Sequence, residues 1–296
     1  MTTNRFGLSR HIPSDIALEV RRRSKLGCVI CRCAIYQYEH IDPEFTEARE
    51  HNPDHICLLC GGCHDRVTRG RLSKQTVREA YLNIQNSTSV KRPFEEFDLS
   101  TQSLSVSIGA STFIHTNTLF CINGEDILAI TPPQNEAKFP TLNGIFYDRF
   151  GKESLRITDN IWEGQSEAWD IEIVGTRVTI KTDGGQIALQ IDIAPPDKIH
   201  IRKLDMYKDS CHLLADDSEL CIGQIHKETQ TYIGLSSFQC MGSRTAIAVD
   251  SRTIGKPVLT GLQMIGGQGI ILDGTGIRVG VGAGSMTIGR LRLWLI

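Results

Sequence analysis

Two Cys-x-x-Cys pairs, Cys28/Cys31 and Cys60/Cys63, constrain this chain more than any other feature. Each pair can present two thiolates to one ion from a tight turn, and two such turns complete the tetrahedral four-sulfur shell that zinc prefers. The 28 residues between Cys31 and Cys60 exceed what a minimal zinc ribbon needs. That insert contains Glu39-His40 and a run of carboxylates, and Cys63 leads directly into His64. Cys33 and Cys57 flank a shell that is already complete, so they read as small buried residues.

Six of the ten cysteines fall in this opening stretch. The N-terminal Met-Thr-Thr-Asn-Arg-Phe-Gly has no signal-peptide core, and no apolar run is long enough to span a membrane. A cytoplasmic location is expected, where thiols stay reduced and clustered cysteines point to metal before disulfides. A chain of 296 residues suffices for two ordinary domains, and its hydrophobic content of 40% with 22% charged residues excludes a disordered chain. The net charge of −2 conceals an asymmetry. Residues 1–84 carry 13 Lys/Arg against 10 Asp/Glu, and the remainder carries 19 against 24. A mildly basic N-terminal unit suits a nucleic-acid partner, and the acidic remainder does not.

Ser14 reads as a helix N-cap after Pro13, and Gly27 as the stop. Arg21, Arg22, Arg23 and Lys25 crowd the last turns, where they suit the helix dipole or phosphate contact. Ala34–Tyr38 alternates as a first strand ending in Glu39-His40. Residues 42–54 form a loop in which His51 reads as solvated, and His55–Leu59 returns as a second strand. A helix is expected from His64 to about Gly70, and another over 74–84 after Leu72-Ser73. Residues 85–98 are polar and read as a linker. From residue 99 the periodicity becomes two. Thr118–Ile122, Asn123-Gly124 and Ile127–Ile130 spell a hairpin, and Asp183-Gly184-Gly185 is a second turn. These signals predict an all-β region over 99–296, sandwich- or barrel-like, with a subdivision near 210 and a β-solenoid as the alternative. Trp162, Trp169 and Trp294 read as sheet-packing residues. The glycine-rich stretch over 261–296 reads as turns and close strand packing rather than a phosphate loop, because no lysine follows it.

Cys28, Cys31, Glu39, His40, Pro43, Leu58, Leu59, Cys60, Cys63 and His64 together resemble the motif of zinc-containing HNH endonucleases. The resemblance covers roughly residues 5–80. It implies an α+β chain that opens with a ββα-metal zinc domain over 1–84. By resemblance, His40 is the general base, Glu39 and His64 hold a catalytic Mg²⁺ or Mn²⁺, and the four cysteines hold a separate structural Zn²⁺. The implied activity is metal-dependent hydrolysis of DNA phosphodiesters, with double-stranded DNA as partner and Arg66, Arg69, Arg71 and Lys74 as contact candidates. Where that family carries an Asn that orients the loop of the base, this chain has His55; its ring nitrogen can donate the same loop hydrogen bond, and Asn52 stands nearby in the sequence. The β region is expected to recognise a ligand, assemble the protein into a homo-oligomer, or control the nuclease. Defence against foreign DNA would fit such an architecture by analogy. The competing reading is a non-catalytic zinc-dependent DNA-binding or adaptor protein, which would need the cysteines and cations but not Glu39, His40 and His64.

Overall fold

The computed structural model describes residues 3–134, 137–165, 168–226, 229–236 and 238–249, and beyond these the strands within 262–264, 270–272, 277–281, 285–287 and 290–295. The chain is mixed α+β with mostly strands, and it divides into two units. The first comprises 1–95 together with 163–173, and the second comprises 96–162 and 174–296.

In the first unit, helix α1 (Ser14–Arg23) starts behind Pro13 with no side-chain cap, so Ser14 lies inside the helix rather than capping it. The helix ends at two left-handed residues, Lys25 (φ 51°) and Leu26 (φ 63°), ahead of the expected Gly27. Gly27 is needed for space instead: a Cβ there would lie 3.0 Å from Pro93 Cβ and 3.2 Å from the Arg32 carbonyl. Strand β1 (Gln37–His40) pairs antiparallel with β2 (Ile56–Leu59), setting Glu39 opposite Cys57 and His40 opposite Ile56. Helix α2 (Gly61–Thr68) follows β2 directly, and α3 (Lys74–Asn86) is capped by Ser73, whose hydroxyl accepts from Thr76 N–H at 3.0 Å.

β2 is buried on both faces, which explains its continuous apolar run. Ile56 and Leu58 join Val20 of α1, while Cys57 and Leu59 join Cys28, Val29, Ile41, Cys63, Val77 and Tyr81. The period of two thus splits one strand between two small cores. The later part of the expected 85–98 linker packs here as well: Arg32 donates to the Lys91 carbonyl, and Ala34 N–H donates to Phe94 O at 2.8 Å.

Residues 163–173, placed by the sequence in the β region, are part of this first unit. Arg21 of α1 grips Asp170 with two parallel bonds, Nε–Oδ1 at 2.7 Å and Nη2–Oδ2 at 2.8 Å. Arg22 lies over the Trp169 ring at 4.4 Å and donates to its carbonyl, and the Tyr36 hydroxyl donates to the Ile171 carbonyl. Trp169 is therefore half-buried against an arginine instead of packing a sheet, and Arg21–Arg23 are spent on protein contacts.

The second unit is built from antiparallel meanders. Thr118–Ile122, Glu125–Thr131, Thr141–Tyr147 and Glu153–Thr158 pair in succession in one sheet. Asn123 (φ 55°) and Gly124 (φ 84°) form the expected tight turn between the first two. In another sheet, Arg177–Lys181, Ile187–Ala194, Lys198–Lys208, Cys211–Ala215, Leu220–His226 and Thr229–Ser236 do the same. Phe113 and Phe120, from different sheets, meet at 6.3 Å. Each sheet's strand order has two ends among the described residues, so no closed barrel forms. The antiparallel pairing of successive strands also differs from the parallel stacking of a solenoid. Trp162 is buried as expected. The Trp294 side chain and nine of the ten glycines in 261–296 lie outside the described residues.

Candidate metal centre and adjoining polar site

The first cysteine pair sits in a knuckle held by its own backbone: Cys28 N–H donates to Cys33 O, and Arg32 N–H donates to Cys28 O, both at 2.9 Å. Arg32 stiffens it from within. Its buried guanidinium donates to the carbonyls of Ser24, Lys25, Gly27, Cys28 and Lys91. The second pair lies at the start of α2, where Cys60 Sγ accepts from Cys63 N–H at 3.4 Å. The Cys28, Cys31, Cys60 and Cys63 sulfurs all lie within 4.8 Å of one another, and Cys31 Sγ is 3.5 Å from Cys60 Sγ. A tetrahedron with arms of about 2.3 Å has edges of about 3.8 Å, so the four sulfurs fit one zinc ion.

The thiols' own chemistry agrees. Burial and the neighbouring Cys28 push Cys31 up to about 11, and Cys63 is raised further for the same reasons. At Cys60 burial is outweighed by the Cys63 N–H and the surrounding thiols, and its pKa falls. Without a cation, four crowded sulfurs cannot all ionise; a divalent ion removes that conflict. Cys33 and Cys57 lie outside this set. Cys33 donates to Glu95 Oε2 at 3.1 Å, and burial raises its pKa to about 12.

The hairpin carries Glu39 and His40 to its end, beside the first turn of α2. Neighbouring residues on a strand diverge, and here they do. Glu39 is buried and faces α2, its Oε2 3.0 Å from His64 Nε2. Its other oxygen receives Lys74 Nζ from the first turn of α3, and the same ammonium donates to the His40 carbonyl at 2.7 Å. His40 turns instead to the loop and the N-terminal arm. Its Nε2 is 3.3 Å from His51 Nδ1, and Phe45 packs edge-on against its ring at 5.4 Å. Burial lowers the His40 pKa to about 4, helped by its neighbours His51, Lys74 and Arg10, so the ring is neutral at pH 7.

Among the described residues, the four cysteines are the one group of three or more metal-ligating side chains; Glu39 and His64 are a pair. Of the contact candidates, Arg66 and Arg71 are exposed, Arg69 is bonded to Asp65 at 2.7 Å, and Lys74 is committed to Glu39. The His55 ring makes no hydrogen bond among the described residues; its backbone carbonyl accepts from Ile41 N–H at 2.8 Å. Asn52 accepts from Asp54 N–H and caps the turn before β2.

Sequence reasoning placed His51 in solvent, whereas its side chain is buried against His40. No spacing rule marks a histidine 11 residues downstream as the partner of another, because the loop between them sets the approach. No family model, curated protein or solved structure matches this chain.

Proposed function

We propose that the first unit is a metal-dependent endonuclease of the HNH type that hydrolyses DNA phosphodiesters. The observation that carries this reading is the pairing of Glu39 with His64 at 3.0 Å, His64 following directly on Cys63 of the four-cysteine cluster and His40 standing beside Glu39 at the strand end. Glu39 and His64 are the side chains that would hold a divalent ion, Mg²⁺ or Mn²⁺. When bound, such an ion would supply Lewis-acid stabilisation of charge developing on the phosphate and leaving oxygen. The protein's own part is proton transfer and placement. His40 takes the proton of the attacking water, which an imidazole kept neutral at pH 7 can do. The four cysteines, with a structural zinc, hold β1, β2 and α2 so that His40 and His64 stay in register. The second unit would recognise a ligand, assemble copies or restrain cleavage.

The ion pair between Lys74 and Glu39 favours a second reading, a non-catalytic zinc module that binds DNA. One experiment separates the two. Purified protein is incubated with supercoiled plasmid and Mg²⁺ or Mn²⁺ beside His40→Ala. The nuclease reading expects nicking by the parent and a loss of about 10²–10⁴ in rate for the variant. DNA binding without cleavage under any divalent ion would establish the second reading.

A further inference from the structure

His55 stands where the resembled motif has its orienting Asn, yet in the structure its ring does not engage His40. Another residue does. His51 lies 9% exposed between two partners, with Nδ1 3.3 Å from His40 Nε2 and Nε2 2.9 Å from the Ser9 carbonyl oxygen. The protonation pattern of this chain follows from its far end. A carbonyl only accepts, so His51 Nε2 carries the hydrogen. In a neutral ring Nδ1 is then bare, so the bond to His40 is donated by His40 Nε2. His40 in turn has its free lone pair on Nδ1. With both rings neutral, this is the one assignment that satisfies all three atoms.

The frame around this chain is fixed. Asn4 Nδ2 donates to the Phe45 carbonyl at 2.6 Å and to the Ala48 carbonyl at 2.7 Å, while its Oδ1 accepts from Phe6 and Leu8 N–H. The arm carrying Ser9 is thereby fastened to the loop carrying His51. Phe45 closes against the His40 ring, and Arg10 lies over Phe45 at 4.8 Å. A buried imidazole with both nitrogens bonded is held in one orientation, and it transmits that orientation to the ring it touches.

We propose that His51 is the positioning residue of the site, taking the place of the missing Asn: it fixes the tautomer and ring plane of His40 and leaves His40 Nδ1 as the proton acceptor. The N-terminal arm over residues 4–10 is then part of the catalytic unit, because Ser9 sets the direction of the chain. This proposal rests on the nuclease reading.

The test uses the full-length, zinc-loaded protein. Long-range ¹H–¹⁵N spectra of histidine-labelled protein at pH 7 report which nitrogen of each ring carries hydrogen. The expected result is hydrogen on Nε2 of both His40 and His51, with His40 losing this single tautomer in His51→Phe. In single-turnover nicking, His51→Phe, which keeps a ring but no acceptor, is expected to slow cleavage by about 10–100-fold. DNA affinity and zinc content should be unchanged. His51→Asn, whose side-chain oxygen can accept from His40 Nε2, should recover most of the rate. Hydrogen on Nδ1 of His40 in the parent, or a His51→Phe variant as fast as the parent, overturns the proposal while leaving the nuclease reading intact. Equal losses in His51→Phe and His51→Asn also overturn it. A parent that nicks no DNA removes the nuclease reading and this role with it.

Discussion

The contact most exposed to a single substitution is the ion pair between Arg21 and Asp170, which joins α1 to a segment 149 residues away. The two side chains are 8% and 1% exposed, and both oxygens of Asp170 are engaged by the guanidinium. Burial works against the Arg21 charge, but Asp170, with Tyr36 and Tyr38, outweighs it and leaves the pKa well above the ordinary value. Asp170→Ala removes the carboxylate and strands a guanidinium whose remaining neutral partner is the Tyr38 hydroxyl at 2.8 Å. Breaking a buried pair from one side costs about 3–5 kcal/mol, because the surviving charge stays desolvated. With a urea slope of about 1–3 kcal/mol per molar, the unfolding midpoint of the first unit should fall by more than about 1 M. Replacing both partners, as Arg21→Met with Asp170→Leu, should recover most of the loss, since the cost lies in the orphaned charge rather than in the missing attraction. Asp54→Ala, which opens a partly exposed pair with Arg23, should cost less than about 1 kcal/mol. Urea titration of the zinc-loaded protein, followed by near-ultraviolet circular dichroism, reads all three. A loss under about 1 kcal/mol in Asp170→Ala, or a double variant no better than the single, would refute the reasoning. The same argument expects a fragment ending at residue 95 to be destabilised, because it lacks Trp169, Asp170 and Ile171.

Two further outcomes follow from the sites. Elemental analysis of reduced protein should find one zinc per chain, and chelation should unfold the first unit, since metal binding and folding are one equilibrium in such small domains; folded, reduced protein without zinc would count against the four-cysteine site. The His40 pKa is lowered from 6.5 to about 4 by burial and by His51, Lys74 and Arg10. The unfolded chain therefore binds the extra proton between those values, and stability falls as pH drops from about 6.5 to about 4. His40→Gln should flatten that portion of the urea-midpoint profile, and a profile parallel to the parent's would show that His40 is not held neutral by the fold.

The four-cysteine cluster was the most legible part of the chain because its members are local. Cys28 and Cys31 share one turn, Cys60 and Cys63 another, and β2 between them announces itself by an apolar run. The Asn123-Gly124 hairpin was legible for the same reason, since both residues adopt positive φ in two consecutive positions. What failed was whatever depends on distant chain. Asp170 sits in an alternating segment that reads as an ordinary strand, and its sequence says nothing of Arg21. His51 lies in an acidic loop and reads as solvated; only the arm carrying Asn4 and Ser9, folded over that loop, makes it a buried partner of His40. Ser14 misled because a hydroxyl near a helix start can stand inside the first turn as easily as cap it.

The distribution of cations bears on how such a unit would hold its proposed substrate. The count of 13 Lys/Arg in residues 1–84 overstates the charge free to meet a polyanion. Arg21 and Arg32 are buried on protein partners, Arg22 and Arg23 hold Trp169, Glu19 and Asp54, and Arg5, Arg69 and Arg78 are paired with Glu47, Asp65 and Asp42. Lys74 is turned inward to Glu39. Each phosphate neutralised contributes a little under one unit to the salt dependence of binding to duplex DNA. The half-exposed Lys25 and the exposed Arg10, Arg49, Arg66 and Arg71 are what remain, and they predict a shallow salt slope and weak non-specific affinity for the first unit alone. A nuclease with so few free cations gains little residence on bulk DNA. The remaining affinity must come from contacts at the scissile phosphate, or from whatever the second unit recognises. The second route would tie cleavage to recognition, because a unit that binds weakly cuts only where it is held.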